Sequence, residues 1–382
     1  MGADKSSRPT RNVVLFVSLS GWLAGPGRSL ATIISHLPDH IEPVLACPDK
    51  GNLLPAVRER TPRVRYMRLP RRPGQKSDPW SRLKAVVVLC AWMMRYRRRI
   101  LAVHANGFSD LHIAAPGLLL TRRPVVVWFH GHERNPWDRR LGWLWRLVLP
   151  NRQLAAVAEV ARIRAVEGGI ADRDDIEIIP NPIDPKDVVA QLPEPHRNPH
   201  PVVIAYMGGE RQRKGFFALP DLIARLSDSP VEWAIFDRRT GHEDVQEEII
   251  WGRLEAAGSD RVKILGRLDD VRQAYASCDI VVSLSNAEAH PRGVIEPMLN
   301  GIPVVVSKIP AHEALIGENE GGLLFPLGDL DAAAEAIRRL ASDDQLRERL
   351  GKRAKMLVEG PTNPNLVVGK FVAIYERLGS RT

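Results

Sequence analysis

The sequence is poor in cysteine: Cys47, Cys90 and Cys278 are the only three in 382 residues, far apart and in no CxxC or metal-ligand spacing. That excludes a disulfide framework, and the three read as small buried hydrophobes in a reducing compartment. Long apolar runs are missing too. The best candidates reach about ten residues, whereas a helix crossing a bilayer needs about 20. The polar start, MGADKSSRPTRN, leads directly into VVLFVSL. This run is too short for a signal-peptide core with its cleavage site, so a first buried strand and a cytoplasmic location are expected. Low-complexity tracts are absent, because the 30 prolines are scattered and punctuate structure without forming a repeat.

What is present is an ordinary folded composition, 44% hydrophobic and 26% charged, on a chain long enough for two domains of roughly 190 residues each. The net charge of +9 is lopsided. Up to residue 190 there are 30 Lys and Arg against 17 Asp and Glu; from residue 191 onward there are 24 against 28. Residues 51–100 hold 14 of the basic residues, with only Glu59 and Asp78 to oppose them. Such a field favours an anionic partner: a membrane surface, a phosphorylated acceptor or nucleic acid.

Strand-like runs NVVLFVS, EPVLACP, VRYMRLP, ILAVHAN and PVVVWFHG alternate with helix-length amphipathic stretches. The pattern then restarts with PVVIAYMG, VEWAIFD, RVKILG, DIVVSLS and IPVVVS. The alternation predicts an α/β protein of two Rossmann-like doubly wound domains. The expected organisation is an N-terminal domain over 1–190, a linker at QLPEPHRNPHP (191–201), a C-terminal domain over 202–365, and a last helix over 366–382 crossing back to the first domain. Parallel sheets bind ligands beyond the carboxyl ends of their strands, so two such domains facing across a cleft would take a donor on one and an acceptor on the other.

The stretch SLSNAEAHPRGVIEPMLNGIPVVVS (283–307) places Glu288 in a loop after a buried strand, and Glu296, followed by Pro297, at or near the start of a helix. A carboxylate there can accept both hydroxyls of a ribose, while backbone N–H groups of Arg292, Gly293 and Val294 point at an anionic diphosphate. The alternative is a solvated Glu288 and a helix-capping Glu296; the strand–loop–helix–strand setting favours the binding role. AYMGGERQRKGFFALPDLIARL (205–226) offers Arg211, Arg213 and Lys214 in a polar loop. Fixed cations of this kind stabilise a leaving nucleoside diphosphate, and the alternative is a solvated basic loop. SLSGWLAGPGRSLATII (18–34) puts Gly25 and Gly27 at a helix start, where backbone N–H groups can meet a phosphate or an acceptor. VVVWFHGHERNPW (125–137) ends a buried strand in His130, with His132 and Glu133 beyond; without a third convergent ligand these do not make a metal site.

Together these segments resemble the large retaining glycosyltransferase family 4, of GT-B fold. Ser285, Glu288, Glu296, Gly301, Pro303, Val304 and Val305 match its serine, glutamate pair and Gly-x-Pro-Val-Val strand in spacing, and Arg292 falls where many members have arginine. His290–Pro291 replaces the usual aromatic–glycine pair, and Pro297 the usual alanine. Lys214–Gly215 match the phosphate-binding lysine and its glycine, whereas the family's arginine position is Gly209, so that Arg211 or Arg213 would substitute. His130 matches the histidine that contacts the transferred sugar, and Asn181 and Asp184 match the pre-linker segment. Asp172-Arg173-Asp174 reads as a polar turn and not as the metal signature of the other major transferase fold.

The resemblance implies retaining transfer of a hexose-type sugar from a nucleotide sugar, UDP- or GDP-linked, to a hydroxyl of a glycan, glycolipid or small molecule. It places Glu288, His130 and Lys214 at the reaction, and Glu296, Arg211, Arg213, Arg292, Gly293, Val294, Gly25 and Gly27 on the donor, and it needs no metal and no other cofactor.

WSRLKAVVVLCAWMMRYRRRIL (80–101) joins Trp92 and Met93 to Arg95, Arg97, Arg98 and Arg99, and LGWLWRLVLP (141–150) has Arg139, Arg140 and Arg146 in or beside it. Each fits peripheral contact with an anionic membrane, and equally a helix packed on the first sheet with its arginines solvated. The rival functions are a nucleotide-sugar 2-epimerase of similar architecture and a non-enzymatic binder of anionic lipid or nucleic acid. Nucleic-acid binding calls for aromatics interleaved with basic residues on exposed strands, and only Tyr66 sits so; no nucleic-acid partner is expected.

Overall fold

The computed structural model describes residues 12–70, 79–131, 149, 151–190, 201–209, 211–238, 245–257, 260–266, 270–317 and 320–380. The chain divides into two compact units, Met1–Pro182 with Thr362–Thr382, and Ile183–Pro361. The first unit holds strands β1 (Val13–Val17), β2 (Glu42–Cys47), β3 (Arg65–Arg68), β4 (Ile100–Ala105), β5 (Val125–Phe129), β6 (Arg152–Ala156) and β7 (Ile176–Ile178), in the spatial order β3-β2-β1-β4-β5-β6-β7. The second holds β8 (Val202–Tyr206), β9 (Val231–Arg238), β10 (Val262–Gly266), β11 (Ile280–Ser283), β12 (Val304–Ser307) and β13 (Gly322–Phe325), in the order β10-β9-β8-β11-β12-β13. Every ladder in both sheets is parallel.

Each sheet winds outward from its first strand and then reverses, which is the Rossmann order, and each has a switch point beside that strand: β1/β4 and β8/β11. The uninterrupted apolar runs follow from burial on both faces. In β8, Ile204 and Tyr206 join a cluster with Phe216, Trp233 and Trp251, while Ala205 between them faces a second cluster with Ala234, Val281 and Val294.

The segment Ile183–Ala190, expected with the first domain, packs with the second. Ile183 and Val188 enter the cluster of Val294, Ile295 and Met298. Asn300 fixes the segment, donating from Nδ2 to the Val188 carbonyl at 3.0 Å and accepting the Ala190 amide at 2.8 Å. Residues 191–200 of the expected linker lie outside the described residues. The last helix, Pro364–Ser380, belongs to the first unit, where Phe371 and Tyr375 pack edge-on to His104, beside Phe16 and Trp128.

The helix Pro79–Tyr96 buries Ala85, Leu89 and Met93. It meets the helix Phe108–Thr121 at Gly117, where a Cβ would lie 2.6 Å from Met93 Sδ. Met93 is therefore core and not a membrane anchor, because the missing side chain at residue 117 lets the two helices close on it. Trp92 packs its ring against Tyr96 at 4.7 Å, and Arg99 is ion-paired to Glu42. Except for Leu149, the segment 141–150 lies outside the described residues, as do Arg139 and Arg140. No described helix is long and apolar enough to cross a membrane.

Candidate active site

In the second unit, β8 and β11 carry two loops out of the switch point. The first, described over 207–209 and 211–214, meets the buried hydroxyl of Tyr206, which donates to the carbonyls of Gly209 at 3.1 Å and Lys214 at 3.2 Å. Gly215 ends this loop with φ +79°, and any Cβ there would overlap the Cβ and carbonyl of Leu284. Glycine is thus required twice over, for the left-handed backbone and for the close approach. The contact brings the two loops together: the Asn286 amide donates to the Arg213 carbonyl at 2.9 Å, and Arg213 Nη1 donates to the Ala287 carbonyl at 3.1 Å.

At this junction Lys214 Nζ is ion-paired with Glu288, a carboxylate only 6% exposed, and Arg213 Nη1 stands 3.8 Å from its other oxygen. Burial pushes the Glu288 carboxyl up, but the charge and hydrogen bond of Lys214, helped by Ser285 and Arg213, outweigh it and hold the group below its ordinary value. Glu288 is therefore ionised and preorganised. Arg211 is exposed and makes no side-chain hydrogen bond or ion pair among the described residues. Arg213 is the arginine that the fold brings to the glutamate.

The helix Arg292–Leu299 starts four residues after Glu288, with Pro291 as its N-cap. Two expectations change here. Glu296 sits in the second turn and not at the start, and Pro297 is inside the helix. The reason is that Pro291 ends the loop early, its carbonyl accepting the amides of both Val294 and Ile295 at 3.0 Å. The Val294 N–H is thereby already bonded within the protein and is not presented to a ligand. At Gly293 a Cβ would meet open space. Gly293 and Val294 share the walls of one small cleft with Met207, Gly208, Lys214, Ser285 and Glu288.

Glu296 is 2% exposed. Its Oε1 accepts from Arg292 at 2.8 Å and its Oε2 accepts from Tyr275 at 3.0 Å. A carboxylate has roughly four lone-pair directions, so it can accept from several donors at once. The helix stops in a Schellman motif: Gly301, at φ +72°, donates to the Met298 carbonyl at 2.9 Å, and Ile302 to the Pro297 carbonyl at 3.1 Å. Gly-x-Pro-Val-Val is thus a helix stop followed by β12. Beneath the site, Ser307 Oγ donates to the Ser285 carbonyl, and the buried His312 donates from Nδ1 to the Ser307 carbonyl at 2.7 Å.

In the first unit the residues after β1, β4 and β5 meet. Asp110 accepts the Leu19 amide at 2.7 Å, and Asn106 donates to the Pro26 carbonyl at 3.4 Å. Asn106 Oδ1 accepts from His130 Nε2 at 3.0 Å. His130 is buried, its ring edge-on to Trp128 at 4.4 Å. Gly25 opens the helix Gly25–Ser35, and Gly27 packs where a Cβ would overlap the Trp22 carbonyl. His132 and Glu133 lie outside the described residues. Asp172-Arg173-Asp174 forms an exposed turn in which Arg173 pairs with Glu159.

Residues 190–356 match the family described as Glycosyl transferases group 1, and residues 23–187 match Glycosyltransferase Family 4. The phosphatidyl-myo-inositol mannosyltransferase of Mycolicibacterium smegmatis is 30% identical over 300 residues, which make up 75% of this chain and 72% of that protein. The chain belongs to glycosyltransferase family 4. The lipopolysaccharide core biosynthesis glycosyltransferase LpsE of Rhizobium meliloti is 28% identical over 174 residues, 46% of this chain, and the match spans about half of that relative's length, 49%. Anabaena HepE, solved in complex with UDP and glucose, superposes with a TM-score of 0.77 at 18% identity, covering 95% of this chain and 98% of that one. A glycosyltransferase from Rickettsia africae gives 0.83 at 16% identity, with 97% and 100% covered. These likenesses show the fold.

For this family 4 glycosyltransferase the sequence analysis singled out none of Tyr275, Asn106 and His312. Tyr275 lies in a helix ahead of β11, and only the folded chain shows its hydroxyl on Glu296. Asn106, a polar residue at the end of a buried strand, was the most findable of the three.

Proposed function

We propose that this chain transfers a hexose-type sugar from a nucleotide-sugar donor to an acceptor hydroxyl with retention of anomeric configuration. The observation that carries the reading is the pair of buried, partnered glutamates beside the β8/β11 switch point, one of them held by Lys214 and Arg213. Glu296 takes the ribose hydroxyls. Lys214 and Arg213 exchange Glu288 for the donor's phosphates, and the backbone at Gly293 admits the diphosphate. Glu288 then orients the sugar, and His130, held by Asn106, is assigned to the transferred sugar by the family resemblance. Gly25 and Gly27 shape the first-unit loop.

In the proposed step the bond from the anomeric carbon to the diphosphate oxygen breaks, and the acceptor oxygen bonds to that carbon on the same face. The acceptor proton passes to the departing diphosphate. Among the described residues no three His, Cys, Asp or Glu side chains converge as a metal site would require, and the scheme routes no step through a metal. HepE, solved with UDP and with UDP-glucose, supports a UDP-linked donor. The relatives named for phosphatidyl-myo-inositol and for lipopolysaccharide core support a lipid-linked or glycan acceptor. Three unpaired cysteines suit a cytoplasmic enzyme.

The test is a thermal-shift screen against UDP, GDP, ADP, dTDP and their sugar conjugates, repeated with Glu296→Gln. One nucleotide raising Tm in the wild type and not in the variant is the expected result. No shift at millimolar nucleotide would overturn the reading.

A further inference from the structure

Two side chains grip Glu296 unequally. Arg292 places both Nε and Nη2 at 2.8 Å from the same oxygen, Oε1, and Tyr275 donates its hydroxyl to Oε2 at 3.0 Å. Arginine and a carboxylate frequently meet as a fork of two parallel bonds, each oxygen taking one N–H. Here Oε2 stays out of the fork. Arg292 and Glu296 sit one turn apart on the same helix and move with it, whereas Tyr275 reaches Oε2 from a separate element.

That element is firmly held. The Tyr275 ring is buried in the cluster that contains Val281, Val294, Ile295 and Met298. Its helix, Val271–Ala276, starts at Asp270, whose carboxylate accepts the Arg272 amide at 2.9 Å. Just beyond the helix, Asp279 ties the chain to β8: its amide donates to the Val203 carbonyl at 2.9 Å, and its Oδ2 accepts the Val203 amide at 2.8 Å. The phenol is therefore fastened beside the β8/β11 switch point. A donor so fixed sets the rotation of the carboxylate, which a grip on Oε1 alone would leave free to pivot.

We infer that Tyr275 is a positioning residue for the donor: by holding Oε2 it keeps the Glu296 carboxylate turned toward the two hydroxyls of a ribose, and so makes the site select ribonucleotide over 2′-deoxyribonucleotide donors. The inference rests on the proposed ribose-binding role of Glu296. Without the phenol hydroxyl the carboxylate pivots into the Arg292 fork, where both of its oxygens face the guanidinium. A Tyr275 that only satisfied a buried carboxylate would support the fold and affect ribose and deoxyribose nucleotides alike.

The experiment is isothermal titration calorimetry of the full chain with UDP and 2′-deoxy-UDP, and with GDP and 2′-deoxy-GDP. The wild type should prefer the ribose form by on the order of 10- to 100-fold, the worth of one hydrogen bond to a charged group. Tyr275→Phe keeps the ring and should bring that preference within about threefold, because a carboxylate drawn into the fork gives little to either hydroxyl. The double variant Tyr275→Phe/Arg292→Lys should regain part of the preference, since an ammonium is a point charge and offers no fork. A ratio of two affinities is insensitive to a general loosening of the fold, and circular dichroism checks that each variant is folded. Full preference in Tyr275→Phe, equal weakening of both nucleotides, or no recovery in the double variant would each overturn the inference and leave the ribose site standing. A wild type without preference would instead remove the ribose site at Glu296, and the inference with it.

Discussion

The hydroxyl of Tyr375 lies 2.7 Å from Nδ1 of His104, joining residues 271 apart in sequence and fastening the last helix to β4 at the centre of the first sheet. Both side chains are fully buried, and burial pushes the imidazole down to about 3, so that it stays neutral in the folded protein. In the unfolded chain it takes a proton near its ordinary 6.5. A folded value below the unfolded one gives stability that is complete above pH 6.5 and is lost as the pH falls toward 3. The slope is about 1.4 kcal/mol per pH unit within that window. His104→Phe removes this slope and leaves the Tyr375 hydroxyl without its partner, at a cost of about 1–3 kcal/mol at neutral pH. Unfolding curves of wild type and variant should therefore converge between pH 7.5 and 5. Parallel curves would show that His104 is not held neutral.

Arg292 and Tyr275 together bind both oxygens of Glu296, which makes two substitutions at this position behave differently. Glu296→Ala takes the carboxylate away from a guanidinium only 10% exposed. Breaking a buried ion pair costs about 3–5 kcal/mol, so Tm should fall by about 6–20 °C at roughly 2–4 °C per kcal/mol. Glu296→Gln keeps an acceptor for Arg292 and should lose far less stability. Nucleotide binding should be lost in both. Retention of the nucleotide-induced shift in Glu296→Gln would remove Glu296 from the donor site.

Most of the fold was legible because burial on both faces of a parallel strand writes an apolar run into the sequence. VVLFV, VVIAY and IVVS announce themselves in this way. β6, β7 and β13 do not: RQLAA, IEI and GLLF are short and interrupted by polar residues or glycine. The glutamate pair stood out through its spacing together with its strand–loop–helix–strand setting. Its partners were not, since Lys214 reaches Glu288 across 74 positions and Tyr275 reaches Glu296 from another helix. The choice between Arg211 and Arg213 needed the backbone, because only the turn closing at Gly215 aims one of them at the glutamate.

Lys214 is the main reason that Glu288 stays ionised while buried. The depressed carboxyl contributes stability that is present above its ordinary 4.5 and is lost as the pH falls below it. In Lys214→Met burial dominates and the carboxyl moves up instead. The variant should be less stable than wild type by about 2 kcal/mol at pH 7, allowing for the partial exposure of the lysine. That difference should shrink as acid protonates Glu288 in both proteins. Chemical denaturation from pH 3.5 to 8 checks it, and a difference constant with pH would mean that the pair does not set the charge of Glu288.

Two glycines on the same site separate folding from binding. At Gly215, with φ +79°, a methyl group would overlap the Leu284 backbone. Gly215→Ala should therefore destabilise the second unit by more than 1 kcal/mol, on the order expected for an incompatible backbone with a clash. At Gly293 nothing lies within 4 Å of the added carbon, and the residue stands in the first turn of a helix. There Gly293→Ala should leave stability unchanged or raise it by about 0.5–1 kcal/mol. Gly293→Leu should fold equally well yet fill the cleft beside Ser285 and Glu288, so that the nucleotide-induced thermal shift disappears while Tm without ligand is kept. If Gly293→Leu still binds nucleotide as the wild type does, the donor does not approach the helix at that residue, and the diphosphate must be sought elsewhere along the Lys214 loop.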